Sequence, residues 1–122
     1  MLKQRKDHQI KKTPICGEII EMLTREENAR ISIAMAIDIE FTRAHFHRNF
    51  EEIYIVLDGW IKLQLYDPGM EKFSECTLLA DELLVIAPGV HHKISSASEK
   101  NRISIICLPG FDPNDEHLSE II

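Results

Sequence analysis

Residues 45–59 read His45-Phe46-His47-Arg48-Asn49-Phe50-Glu51-Glu52-Ile53-Tyr54-Ile55-Val56-Leu57-Asp58-Gly59, and the second half of this stretch decides the fold. Ile53 to Leu57 is a run of β-branched and aromatic residues, the composition that fits a pleated surface. Glu52, Tyr54 and Val56 share one face of such a strand, and Ile53, Ile55 and Leu57 share the other. Both faces are largely apolar, as in a strand covered on both sides. Asp58-Gly59 is the dipeptide most typical of a tight hairpin. After it, Trp60 to Tyr66 alternates Ile61, Leu63 and Leu65 against Lys62, Gln64 and Tyr66.

The same pattern continues outward. Ile31 to Ile39 alternates isoleucine with small or polar residues at its two ends, and Asp67-Pro68-Gly69 is a turn. Leu83 to Ile86 and Ile103 to Leu108 are short apolar segments closed by Pro88-Gly89 and Pro109-Gly110. Glu18 to Leu23 fits neither the strand period nor the helix period. Phe111 to Ile122 is polar and acidic, with one helical turn expected near its end. Short strands between Gly/Pro turns, with no long helical pattern and no repeat, predict an all-β sandwich or barrel.

Length and charge bound the reading. At 122 residues and 14.1 kDa the chain is one domain, and 44% hydrophobic with 28% charged residues is a globular composition. No apolar run approaches the ~20 residues that span a bilayer, so no membrane partner is expected. Residues 1–12 hold five of the 14 basic residues and one acid, on a chain whose net charge is −6. That predicts a frayed basic extension on an acidic body, which is a poor match to nucleic acid. Three scattered cysteines, Cys16, Cys76 and Cys107, indicate reduced thiols and a cytoplasmic location.

Four of the six histidines form two clusters, His45/His47 and His91/His92. Side chains at i and i+2 of a strand leave the same face ~7 Å apart, so His45 and His47 can converge on one ion with bonds of ~2.1 Å. Arg43 shares their parity and is expected to pair a carboxylate or phosphate. Glu51 has the right parity for a flat strand but would lie ~13 Å from His47 along it. Glu52 has the wrong parity unless Arg48-Asn49-Phe50 bends the chain, and a bend with Glu52 returning to the histidines is the geometry expected. Neighbouring residues of an extended chain point opposite ways, so one of His91 and His92 faces the site.

Together these residues resemble the two motifs of the cupin superfamily. His45, His47, Glu52 and Gly59 stand as the first motif does, with six residues from the glutamate to the glycine, and Gly89 followed three residues on by His92 is similar to the second. The stretch departs from the pattern at Asp81, where a glycine is usual, at Ala87, where a proline is usual with Pro88 here one place later, and at Ser96 in place of asparagine. None of these is a ligand position. The resemblance implies a single-domain jelly-roll β-barrel, or double-stranded β-helix, over residues 15–112. A flexible basic extension, residues 1–14, precedes it and an acidic tail, residues 113–122, follows.

The resemblance further implies one divalent metal (Fe, Mn, Ni, Cu or Zn) held by His45, His47, Glu52 and His92. It suggests an enzyme of dioxygenase, isomerase or lyase type acting on a small anionic molecule, with Arg43, Tyr54 and Gln64 lining the substrate pocket. The alternative is a non-catalytic sensor or storage module. A metal-free sugar-nucleotide epimerase fits less well, because the histidines stand in ligation geometry. The row Ile53, Ile55 and Leu57, continued by Ile61, Leu63 and Leu65, needs cover from Ile15 to Leu23, from a second subunit, or from both. Cupins commonly pair through such faces, and a homodimer is expected.

Overall fold

A computed structural model covers residues 1–122. The strands are β1 (Gln9–Thr13), β2 (Gly17–Leu23), β3 (Ser32–Ile37), β4 (His45–Phe46), β5 (Glu51–Asp58), β6 (Trp60–Asp67), β7 (Lys72–Leu79), β8 (Leu83–Ile86), β9 (His91–Ala97), β10 (Arg102–Leu108) and β11 (His117–Leu118). They form two antiparallel sheets, one ordered β1-β2-β3-β10-β5-β8 and the other β11-β4-β9-β6-β7. This is an all-β jelly roll, in agreement with the alternation in the sequence.

The core is the facing surface of the two sheets. Ala36, Tyr54, Val56 and Ile103 come from the first sheet and Ile61, Leu63, Leu78 and Ile94 from the second, all buried in one cluster. Each is the inward residue of a period-2 pattern, and removing these side chains from water supplies ~25 cal/mol for each Å² of apolar surface. Glu52 and His92 open the inward rows of β5 and β9, one step ahead of Tyr54 and Ile94. The site therefore caps one end of the core.

Four expectations need correction. First, Asp58-Gly59 does not close a hairpin. β5 and β6 lie in different sheets, so the turn carries the chain across the sandwich. Gly59 makes the corner possible: its φ is +77°, and a Cβ there would stand 2.2 Å from Ser98 Oγ and 2.3 Å from Lys100 O. Asp67 to Lys72 is the true hairpin, joining β6 to β7. Second, because the chain crosses over, Ile61 and Leu63 face the core at 0% exposure. They do not extend the outer row of Ile53, Ile55 and Leu57, which is half-buried on the opposite surface of the first sheet.

Third, the N-terminal residues are not a separate frayed arm. Gln9 to Thr13 pairs residue for residue with β2 as the edge of the first sheet, Lys11 meeting Glu21 at 3.5 Å. Charged lysines on an edge strand also discourage pairing with further chains. Glu18 to Leu23, ambiguous in the sequence, is a strand because β1 and β3 flank it. Fourth, the C-terminal segment is docked. It makes a 3₁₀ turn at Pro113–Asp115, earlier than expected, and β11 then pairs with β4.

Candidate metal centre

His45 and His92 face each other in register across β4 and β9, and their rings approach to 4.3 Å between centroids. His47 follows two residues after His45, with its ring 5.1 Å from that of His45 and 5.5 Å from that of His92. The chain then bends at Arg48 and Asn49 before β5 begins, which returns Glu52 to the histidines as the parity argument required. One ligand atom from each of His45, His47, Glu52 and His92 lies within 4.8 Å of the others, and all four residues are buried. Glu51 falls on the outer side of β5, opposite Leu108. His91 also points away, its ring stacked on Phe46 at 4.2 Å and its Nδ1 2.7 Å from Ser119 Oγ.

The imidazoles are held in one tautomer. Nδ1 of His45 donates to Arg43 O at 2.7 Å, Nδ1 of His47 to Asp115 O at 2.8 Å, and Nδ1 of His92 to Val90 O at 3.0 Å. In the neutral form of each ring the proton is thereby fixed on Nδ1 and the lone pair lies on Nε2. Nε2 of His47 and of His92 are buried without a hydrogen-bond partner. They lie 3.0 Å and 3.8 Å from the two oxygens of Glu52, with no donor geometry between them. Buried polar atoms are almost always satisfied, so two orphaned lone pairs aimed at one carboxylate mark a place for a cation. The donor set of three neutral imidazoles and one carboxylate fits a divalent transition metal.

Electrostatics agree. Burial, with His92 alongside, pushes the His45 imidazole down to about 3, and burial lowers His92 too. Burial opposes the charge on Glu52, yet the His47 and His92 imidazoles and the Tyr54 hydroxyl bring its carboxyl down to about 2. For His47 burial is outweighed by Glu52, and its pKa is raised. Cys16 and Cys107 lie beside the group; burial and the charge of Glu52 hold Cys16 up at about 12 and raise Cys107 as well, so both stay thiols.

A cavity of about 130 Å³ opens over His45, His47 and Glu52, with room for a small molecule. The expected pocket residues are elsewhere. Arg43 is exposed and contributes only its carbonyl to His45. Tyr54 is buried behind Glu52, in edge contact with His92 at 6.0 Å. Gln64 faces away from the core, since Leu63 faces into it. The charged groups that do line the cavity include Lys11 of β1, Arg25 from the β2–β3 turn, and Glu116. Sequence reading missed Lys11 and Glu116 because they belong to the segments taken for a flexible arm and an acidic tail, and Arg25 because it stands in a turn with no motif around it. No local pattern marks Glu116, or Asp115, whose role depends on a contact 68 residues away in sequence.

No protein-family model matches the chain, and no curated protein matches it by sequence. Solved structures do. A protein from Planctomyces limnophilus superposes with a TM-score of 0.75 at 23% identity, over 97% of this chain and 96% of that one. Oxalate decarboxylase from Bacillus subtilis gives a TM-score of 0.78 at 14% identity, and this chain, matched over 97% of its length, spans 32% of it. The capsular polysaccharide assembling protein CapF of Staphylococcus aureus gives 0.73 at 18% identity, with 34% of its chain covered. The chain has the cupin fold. It carries, where the two motifs meet, a His-His-Glu-His group suited to a metal ion.

Proposed function

We propose that this protein is a metal-dependent cupin enzyme acting on a small, anionic molecule at the His45, His47, Glu52 and His92 centre. The observation that carries the reading is the pair of buried, unpartnered Nε2 atoms facing Glu52. A bound divalent ion would supply Lewis acidity and, with four protein ligands, open coordination positions toward the cavity. The metal called Mn(II) in the Bacillus subtilis oxalate decarboxylase makes manganese a candidate beside Fe, Ni, Cu and Zn.

The chain's own residues supply the remaining parts. Lys11 and Arg25 offer positive charge to an anionic substrate in place of Arg43; both are part-exposed and loosely paired, Arg25 with Asp112 at 3.4 Å. Glu116 lines the same cavity, and burial together with Glu52 raises its carboxyl pKa. It can hold a proton near the centre and exchange it with a bound molecule. Tyr54, buried behind Glu52, steadies its carboxylate.

The test is elemental analysis of protein purified without a metal-affinity tag, followed by a screen of the metal-loaded protein against small carboxylic acids with and without O₂. Stoichiometric metal and turnover of one such acid are expected. Metal without turnover of any class, but with tight binding of one, would favour a sensor or storage module. A second part of the reading is a cytoplasmic homodimer; no helix is long and apolar enough to cross a membrane.

A further inference from the structure

We propose that Asp115 is a positioning residue of the metal centre, and that the segment around it is the clasp that sets His47. The inference rests on the metal-centre reading above. His45 and His92 are oriented locally, each by a carbonyl two residues earlier in the chain. His47 is not. Its Nδ1 donates to the backbone carbonyl of Asp115, 68 residues away.

The Asp115 side chain then takes the two amides that follow. Oδ1 accepts from Arg48 N at 3.0 Å and Oδ2 from Asn49 N at 2.7 Å. One residue, 4% exposed, therefore binds three consecutive positions of the chain. Those positions form the bend that returns Glu52 to the site. Unclasped, both amides would be left without these acceptors, and the segment would lose what holds it off a straight extended path. The carboxylate is itself fixed by His117 Nε2 at 3.0 Å from Oδ1. Phe50, stacked on the His47 ring at 4.2 Å, and Phe111, edge-on at 6.2 Å, limit its other motions. Outer partners of this kind typically change metal affinity by ~10–100-fold when removed.

The experiment uses the full chain with Asp115→Ala, Asp115→Asn and, as a control in the same segment, Ser119→Ala, which removes the Ser119 contact with His91. Zn²⁺ affinity is measured by chelator competition, and the imidazole ¹⁵N and Arg48 and Asn49 amide signals are followed by NMR without metal. The expected result is a ~10–100-fold loss of Zn²⁺ affinity in Asp115→Ala. Asp115→Asn, which keeps one acceptor oxygen, should lose less, and Ser119→Ala should bind as the parent does. The His47 signals should shift in the metal-free variants while those of His45 and His92 hold. Unchanged affinity with unchanged His47 signals, or an equal loss in Ser119→Ala, would overturn the proposal. If Asp115→Ala fails to fold, Asp115→Asn decides by the same measures. A parent protein that binds neither Zn²⁺ nor Mn²⁺ would instead sink the metal reading, and the metal-free His47 and amide signals would still decide the role of Asp115.

Discussion

Two adjacent histidines and two adjacent glutamates divide at this site by the direction of one peptide unit. His92 looks inward to Glu52 and His91 outward to Phe46. Each pair is thus its own control, since the members of a pair have the same charge and differ only in facing. We predict that His45→Ala, His47→Ala and His92→Ala each weaken metal binding by more than the ~10–100-fold typical of an outer partner, and His91→Ala by much less. Likewise Glu52→Gln should lose metal and Glu51→Gln retain it. Elemental analysis after dialysis reads all of these, and equal loss within either pair would contradict the assignment.

A pH prediction belongs to the same residues. His47 is raised from its ordinary 6.5, whereas His45 and His92 are lowered, so only His47 should still carry a second proton just above that pH. A metal must displace that proton. Affinity should therefore rise with pH by up to ~tenfold per unit until His47 is neutral, then level off. Calorimetry at pH 6.5 in buffers of different ionisation heat should show more than half a proton released per ion. In the metal-free protein the sign is opposite: the His47–Glu52 pair adds stability that is complete below the ordinary histidine pKa and fades as pH climbs through the raised one. Release of no proton would mean that His47 is neutral before metal arrives.

At the scale of elements, the strands were legible and their partners were not. Alternation located β6 and the ends of β3, because burial of one face imposes a period of two whatever the neighbour, and short apolar or β-rich runs stopped by turn residues located β5, β8 and β10. Pairing depends on contacts distant in sequence, and there the reading of Asp58-Gly59 as a hairpin failed. The bend before Glu52 could be inferred from parity; the Asp115 clasp that makes it could not. The two turn glycines separate these effects. Gly59 combines φ of +77° with a Cβ position blocked at 2.2 Å, while Gly89 has φ of +86° and nothing within 4 Å. Gly89→Ala should cost about 1 kcal/mol, the penalty of a left-handed residue, and Gly59→Ala several times that through the added clash. Urea unfolding of the two metal-free variants measures the difference; equal midpoints would show that the corner yields freely.

For the whole molecule, the outer face of the first sheet is the surface left without cover. Ile53 and Ile55 stand beside Val85 and Leu83, and the latter two are 49% and 55% exposed. The segment Ile15 to Leu23 does not cover them, because β1 and β2 lie at the other edge of the same sheet, with β3 and β10 intervening. A second copy placed two-fold across this face would bury the row, and we expect a homodimer by light scattering at micromolar concentration. Ile55→Asp should then give a folded monomer. Leu63→Asp, at 0% exposure inside the core, should unfold the protein. A parent that is monomeric, with Ile55→Asp unfolded, would mean that the outer row supports the fold of a single chain.

The pairing of β11 with β4, and of Asp115 with the bend, also has a consequence for synthesis. The residues that would hold the ion occupy positions 45 to 92, but the bond that aims His47 comes from position 115. A nascent chain grows at ~5–20 residues per second, and until β10 emerges the first sheet lacks the strand that joins β3 to β5, which carries Glu52. The ribosome therefore presents all four ligands seconds before their geometry exists. Metal should be acquired with full affinity only after Asp115 has left the exit tunnel, when the ions available to the finished fold, not to the growing chain, decide which one it carries.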